Sequence, residues 1–125
     1  MDVWKGVIIE ESLENKEILE DVEVMSQKTS KLESEEGKGT FHFDKVNVSD
    51  LVIEKVVRKA KKGIKQGWYM HLCKQDVMIV IFKDKSFRYI KGDKEGMKEI
   101  RSYGTSVGIN EAQLPDERLI KDPWN

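Results

Sequence analysis

Residues 68–90 read WYMHLCKQDVMIVIFKDKSFRYI, and this stretch decides the fold. Short polar turns at residues 74–76 and 83–85 divide it into three strand-like runs. Because the connections are only a few residues long, the three strands are expected to pair antiparallel. The middle run, residues 77–82, is apolar at every position, which is typical of a central strand that is covered on both faces of its sheet.

The first 48 residues contain three further runs that favour strands. Residues 3–9 are rich in valine and isoleucine, and residues 40–48 carry two phenylalanines followed by two valines. The apolar positions of the second run change phase partway along, which predicts a β-bulge near Asp44. Residues 20–32 fit either an exposed strand or a helical stripe. We favour the strand, because residues 33–39 then supply a turn into the next run.

Two segments show helical periodicity. Residues 50–66 follow Ser49, a good N-cap residue, and end before Gly67, a residue type that often terminates helices. Their apolar side chains recur at helical spacing and form one stripe: Ile53, Val56, Val57, Ala60 and Ile64. A second helix is predicted from Asp93 to about residue 107, and residues 109–125 read as a partly irregular C-terminal tail.

The order of these segments is βββαβββα, with hairpins where crossover helices would otherwise connect parallel strands. This order predicts an α+β fold, in which a largely antiparallel sheet of about six strands carries two packed helices. The 125 residues fit one domain, and no internal repeat or linker-like composition divides them. We therefore treat residues 1–125 as a single domain.

Charge is distributed unevenly along the chain, although the formal net charge is only −1. Residues 1–54 carry a net charge of −8 and residues 55–125 a net charge of +7. The preferred explanation is that the two halves neutralise each other within one fold. The alternative is that the second half presents a basic face to a partner.

A basic helix supplies the leading functional hypothesis. Its candidate partner-binding residues are Lys55, Arg58, Lys59, Lys62 and Lys65. Aromatic side chains follow it in the sequence, and basic residues beside aromatic rings suit nucleic acid as well as protein partners. The isoelectric point of about 6.2 is well below the value above about 9 that is typical of dedicated nucleic-acid-binding domains. We therefore predict a non-catalytic binding module that uses this helix or a sheet face.

The alternative hypothesis is a small enzyme or a metal-binding protein. Two pairs of ligand-type residues are spaced two apart on predicted strands: His42 with Asp44, and His71 with Cys73. Such spacing places side chains on one face, so neighbouring strands could surround a zinc ion with all four. The same residues allow a nucleophile hypothesis in which His42 activates Cys73. Ordinary packing of single histidines and cysteines explains them better.

A further catalytic pattern, G-x-S-x-G, occurs at residues 104–108. In hydrolases this motif needs a strand before the serine and a helix after it, whereas here a predicted helix precedes the serine and a loop follows. The sequence contains no complete catalytic pattern and no cofactor motif. We therefore expect no cofactor and favour a protein that is not an enzyme.

Composition also bears on location and assembly. A single cysteine, Cys73, allows no disulfide within one chain, which is typical of a reducing compartment. The first residues do not resemble a secretory signal, and the longest apolar run is far shorter than the ~20 residues that cross a bilayer. We expect a soluble cytoplasmic protein without membrane contact. An open strand edge at residues 3–9 or 20–32 could pair two chains into a homodimer.

Overall fold

The structure is a computed structural model that describes residues 2–31 and 40–124. These residues form six strands: β1 (Val3–Ile9), β2 (Glu23–Lys31), β3 (Thr40–Ser49), β4 (Met70–Lys74), β5 (Val77–Phe82) and β6 (Lys85–Ile90). They also form the helices α1 (Ile53–Gly63), α2 (Lys94–Ser106) and α3 (Arg118–Lys121), and the 3₁₀ segments Glu10–Ser12, Lys16–Asp21 and Glu111–Gln113.

All six strands belong to one sheet in the order β2-β3-β1-β4-β5-β6. Each neighbouring pair is antiparallel. The predicted α+β class, with a sheet of six strands and helices packed on it, is confirmed. None of the helices in the described part of the chain is both long and apolar enough to cross a bilayer.

β5 is buried on both faces, as its apolar sequence predicts. Ile79 and Ile81 pack into a core with the apolar stripe of α1. Met78 and Val80 point the other way, into a second core that includes Ile100 of α2. The sheet therefore lies between two layers, and we call its two sides the α1 face and the α2 face.

α1 is shorter than the predicted helix at both ends. It begins at Ile53, because the preceding residues form a turn in which the Ser49 hydroxyl accepts a hydrogen bond from the Leu51 amide at 3.2 Å. It ends at Gly63, whose carbonyl accepts a hydrogen bond from the Glu14 amide at 2.7 Å. The predicted apolar stripe is confirmed, since all of its members are buried.

The predicted bulge near Asp44 is wrong. The irregularity lies in β2, between Val24 and Ser26, and β3 pairs with every residue of β1 without interruption. The change of phase has a different cause. Phe43 lies on the α2 face, whereas Val46 packs into the core on the α1 face. The two ends of β3 are covered on opposite sides.

The two open edges of the sheet are β2 and β6. The strand at residues 23–31 is confirmed, and it exposes Val24 and Met25. By contrast, β1 is paired on both sides and has no free edge for a second chain, which corrects one of the two dimer edges expected from the sequence. The predicted turn at residues 33–39 lies outside the described residues.

α2 begins as predicted, with the Asp93 carboxylate accepting a hydrogen bond from the Gly96 amide at 3.0 Å. It ends before Gly108, whose φ of 92° is accessible to glycine but costly for other residues. The segment from residue 109 to residue 124 contains only a 3₁₀ turn and the short α3. We call residues 109–124 the C-terminal segment; it packs on the α2 face.

Gly6 is required by the close approach of β1 to β4. A Cβ atom at this position would overlap the backbone carbonyl of His71, which cannot move without disturbing the ladder. Gly6→Ala is therefore expected to lower the free energy of unfolding by roughly 1–3 kcal/mol, the usual cost of overpacking. Urea denaturation measures the change. The control is Lys28→Ala, at an exposed position of the edge strand β2, which should cost less than about 0.5 kcal/mol; equal effects would contradict the prediction.

Candidate functional site

Two of the five basic residues predicted on α1 serve the fold. Lys59 Nζ lies 2.7 Å from a carboxylate oxygen of Asp21, and Lys55 Nζ lies 3.3 Å from the other oxygen. The hydrogen bond from Lys59 holds the pKa of Asp21 below its usual value, and Asp21 in turn raises the pKa of Lys59. These pairs join the acidic 3₁₀ segment Lys16–Asp21 to α1, as the neutralisation hypothesis requires.

Two further basic residues of α1 lie beside β6. Arg58 and Lys61 line a groove of about 280 Å³ together with Ser86 and Arg88 of β6. Its one acidic residue is Glu54, which accepts a hydrogen bond from Arg88 at 2.8 Å. We call this the α1–β6 groove. Its lining carries three cations and one carboxylate, and all four charged groups reach solvent to some degree.

The other predicted basic residues do not line this groove. Lys62 and Lys65 are exposed, but neither is part of its lining. Of the five predicted partner-binding residues only Arg58 contributes. Lys61 and Arg88 were not among the predicted partner-binding residues. Arg88 was missed because it comes from a strand that is distant in sequence from α1. The side chains of β6 alternate between the two faces of the sheet, and this alternation, which is visible in the sequence, places Arg88 on the same face as Ser86.

The aromatic side chains expected to accompany the basic helix lie elsewhere. Tyr89 is buried, and Trp68 and Tyr69 line a different cavity. Phe87 alone of this set lines the α1–β6 groove. The Lys85 ammonium lies 5.3 Å from the centre of its ring. The predicted combination of basic and aromatic surface is therefore not formed.

The four candidate metal ligands do not converge. β1 lies between β3, which carries His42 and Asp44, and β4, which carries His71 and Cys73. Asp44 shares a face with the α1-side core residue Val46, whereas Cys73 belongs to the core on the α2 face. This corrects the expected single site. Within residues 2–31 and 40–124, no group of three or more His, Cys, Asp or Glu side chains could hold a metal ion.

His71 and Cys73 instead hold the C-terminal segment. His71 Nε2 lies 2.8 Å from the carbonyl oxygen of Pro123, and because a carbonyl only accepts, Nε2 carries the proton. Cys73 donates its S–H to the Leu119 carbonyl at 3.4 Å. Burial lowers the pKa of His71 and raises the pKa of Cys73 to about 12. The thiol therefore stays protonated and is a poor nucleophile.

A cavity of about 330 Å³ lies where the C-terminal segment meets the α2 face of the sheet. Val7, Ile9 and Phe43 form its strand side, and Trp68, Tyr69, His71, Ile109, Gln113 and Leu119 form the rest with Gly67. We call it the His71 cavity. Tyr69 crosses it to donate a hydrogen bond to the Gln113 carbonyl at 2.6 Å, which ties the segment to β4.

His42 and Asp44 have separate environments. His42 Nδ1 lies 2.6 Å from Glu11, and this hydrogen bond raises the pKa of His42. Both carboxylate oxygens of Asp44 are enclosed without a hydrogen-bond partner in the described structure. Burial and the neighbouring Glu10 carboxyl raise the pKa of Asp44 to about 6. Glu10 itself accepts a hydrogen bond from Gln27 at 3.2 Å.

The G-x-S-x-G residues form no nucleophile elbow. Ser106 is the last residue of α2, and its hydroxyl donates to the Tyr103 carbonyl at 2.6 Å. Comparisons of the chain with protein-family models, with curated proteins and with solved structures found no match. The α1–β6 groove and the His71 cavity are two surfaces from which a function can be derived.

Asp44 should make stability depend on pH. Its pKa rises from the usual 3.8 to about 6 on folding, so its favourable contribution is present below pH 3.8 and is lost as the pH rises through 6. Asp44→Asn should therefore stabilise the protein at pH 8 by roughly 1–3 kcal/mol, the cost of an unsatisfied buried polar group. At pH 4 the difference should nearly vanish. Thermal unfolding at both values tests this.

The matched control for this experiment is Asp76→Asn, because Asp76 is exposed in the turn between β4 and β5. It should change stability little at either pH. An Asp44→Asn effect of the same size at pH 4 and pH 8 would contradict the prediction.

Cys73 should be protected in the native protein. Its thiol is buried, hydrogen-bonded and protonated, so reaction with a disulfide reagent needs an opening of the C-terminal segment. We expect reaction at least about 100-fold slower than in denaturant, since such openings cost several kcal/mol. Stopped-flow or manual thiol titration measures both rates. Rapid labelling of native protein would mean that the segment does not hold this position.

Proposed function

We propose that this chain is a non-catalytic binding module whose α1–β6 groove receives an extended, acidic segment of a partner protein. The observation that carries the proposal is a cationic groove beside an open strand edge. Arg58 and Lys61 stand on one side, and Arg88 of β6 on the other. Recognition of this kind combines backbone hydrogen bonds with side-chain selectivity.

The open edge of β6 supports the binding of an extended partner segment. β6 pairs only with β5, so alternate residues along its six positions direct backbone N–H and C=O groups away from the sheet. A partner segment can add to this edge as a seventh strand. The exposed side chain of Ile90, at the end of β6, offers an apolar contact to such a strand.

The charges of the α1–β6 groove support the proposal that this partner segment is acidic. Residues two apart on an added strand point to the same side, so alternating carboxylates could face Arg58 and Lys61 together. The groove carries three cations in all, Arg58, Lys61 and Arg88. Glu54 offsets only part of this charge. Such complementarity raises the rate of association and rejects basic partners.

Nucleic acid fits the same groove less well. Single strands are usually bound by stacking of bases on exposed aromatic rings as well as by phosphate contacts. The one aromatic residue that lines this groove is Phe87, and its ring packs on Phe82 and Tyr103 on the α2 face, with the Lys85 ammonium over it. No free stacking surface is left on the described groove residues. An acidic peptide needs none.

The enzyme alternative has less support. A catalytic cysteine needs a lowered pKa, and burial of Cys73 does the opposite. His42 could not act as its base, because the two side chains lie on opposite faces of the sheet and β1 separates their strands. The chemistry-bearing residues are therefore assigned to packing in this proposal.

Charge reversal of Arg58 tests the proposal. The probe is a fluorescein-labelled heptapeptide of alternating glutamate and threonine, followed by fluorescence anisotropy at low ionic strength. Arg58→Glu should weaken its binding about tenfold, because exchanging attraction for repulsion at one exposed contact changes the binding free energy by roughly 1–1.5 kcal/mol. Hydrogen exchange should slow at alternate amides of β6 when the peptide is bound.

Lys98→Glu is the control, since it changes the net charge equally on the exposed surface of α2. It should leave the affinity within about twofold. Equal loss in both variants would mean that only net charge matters, and the groove would be excluded. Tighter binding of a thymidine oligonucleotide than of the peptide, also abolished by Arg58→Glu, would replace the protein partner with nucleic acid.

A further inference from the structure

The His71 cavity has the size and surface of a small-molecule site. Its volume of about 330 Å³ lies at the lower end of the ~300–1,000 Å³ range of such sites. Three of its side chains are aromatic, Phe43, Trp68 and Tyr69, and most of the others are aliphatic. Flat aromatic surfaces favour offset or edge contacts with another ring. The space suits a molecule of one or two rings.

His71 is a buried side chain that lines this cavity and has one ring nitrogen without a hydrogen bond in the described structure. His71 is only 6% exposed, and its Nε2 is occupied by the Pro123 carbonyl. The enclosed polar atoms without a partner in the described structure belong to Asp44 and Asn47 alone. Nδ1 of His71 makes no hydrogen bond within the described residues and is not among their enclosed unpartnered atoms; since the ring lines the cavity, Nδ1 is the atom through which His71 could accept a hydrogen bond from a bound molecule.

The hydroxyl oxygen of Tyr69 is a second acceptor in the cavity. The hydroxyl of Tyr69 donates its proton to the Gln113 carbonyl, so the hydroxyl oxygen can only accept further hydrogen bonds. The lining also contains two donors, the indole N–H of Trp68 and the side-chain amide of Gln113, but it contains no lysine or arginine, so a carboxylate or phosphate buried there would have no counter-charge. No acidic side chain lines the cavity to neutralise a buried cation either. The ligand must therefore be uncharged and must supply the hydrogen-bond donor.

The geometry points to a ligand site in the His71 cavity for a small, planar, uncharged aromatic molecule that donates one N–H or O–H group to Nδ1 of His71. This site lies on the α2 face and is separate from the α1–β6 groove, which is on the other side of the sheet. The C-terminal segment forms one side of it through Ile109, Gln113 and Leu119. A bound molecule would therefore also hold this segment against β4.

The experiment uses indole as the probe and benzofuran as its isostere, in which an oxygen replaces the N–H group. Binding to the full chain is followed by two-dimensional NMR of the backbone amides. Indole should shift amides around the cavity, those of Gly67, His71 and Ile109 among them. Benzofuran should bind about tenfold more weakly, because it leaves the imidazole lone pair without a donor.

Substitution of a cavity residue provides the second arm. Val7→Trp should fill the cavity and abolish the shifts, whereas Val3→Trp is the control. Val3 lies on the same face of β1, four residues away, and does not line the cavity. Circular dichroism shows whether both variants fold. The comparison of indole with benzofuran uses the unaltered protein and does not depend on either variant.

Three results would overturn the proposal. The first is the absence of shifts with either probe at millimolar concentration. The second is equal affinity for indole and benzofuran, which would remove His71 as the recognition group. The third is a set of shifts remote from the cavity or unchanged in Val7→Trp. Saturable shifts at the cavity, a preference for indole and their loss in Val7→Trp alone would support it.

Discussion

The burial of β5 on both faces is the constraint on which the rest of the structure depends. Five of its six residues are buried, and alternate side chains enter separate cores. Pairing with neighbouring strands covers the edges of β5 but neither of its faces, so the chain must supply a packed layer on each face. α1 supplies one layer. The other layer is shared by α2 and the C-terminal segment, which contains too little regular structure to hold itself in place.

Side chains of β4 and of the residue before it solve that problem. Tyr69, His71 and Cys73 alternate along one face, and each donates a hydrogen bond to a carbonyl of the C-terminal segment. An irregular segment has many backbone carbonyls without partners, and donors spaced along a strand satisfy them. The residues that resemble a catalytic or metal set in the sequence thus act as anchors.

Charge is divided in a similar way between structure and surface. Lys55 and Lys59 neutralise the acidic segment Lys16–Asp21, so the basic half of the chain is partly consumed within the fold. Three further cations, Arg58, Lys61 and Arg88, lie beside β6, which is an open strand edge. Asp44 is the exception, because its enclosed carboxylate has no hydrogen-bond partner in the described structure and lies beside Glu10.

The sequence by itself determined the strands of the central meander, the apolar stripe of α1 and the capped start of α2, because these depend on local periodicity and on a single capping residue. It also contained the α+β order. The tertiary structure alone decided the strand order, since pairing joins residues far apart along the chain. β1 thereby separates His42 and Asp44 from His71 and Cys73, and Arg88 comes to lie beside Arg58. Sequence spacing specifies which side chains share a face of one strand, but only the packed sheet specifies which strands are neighbours and which face each layer covers.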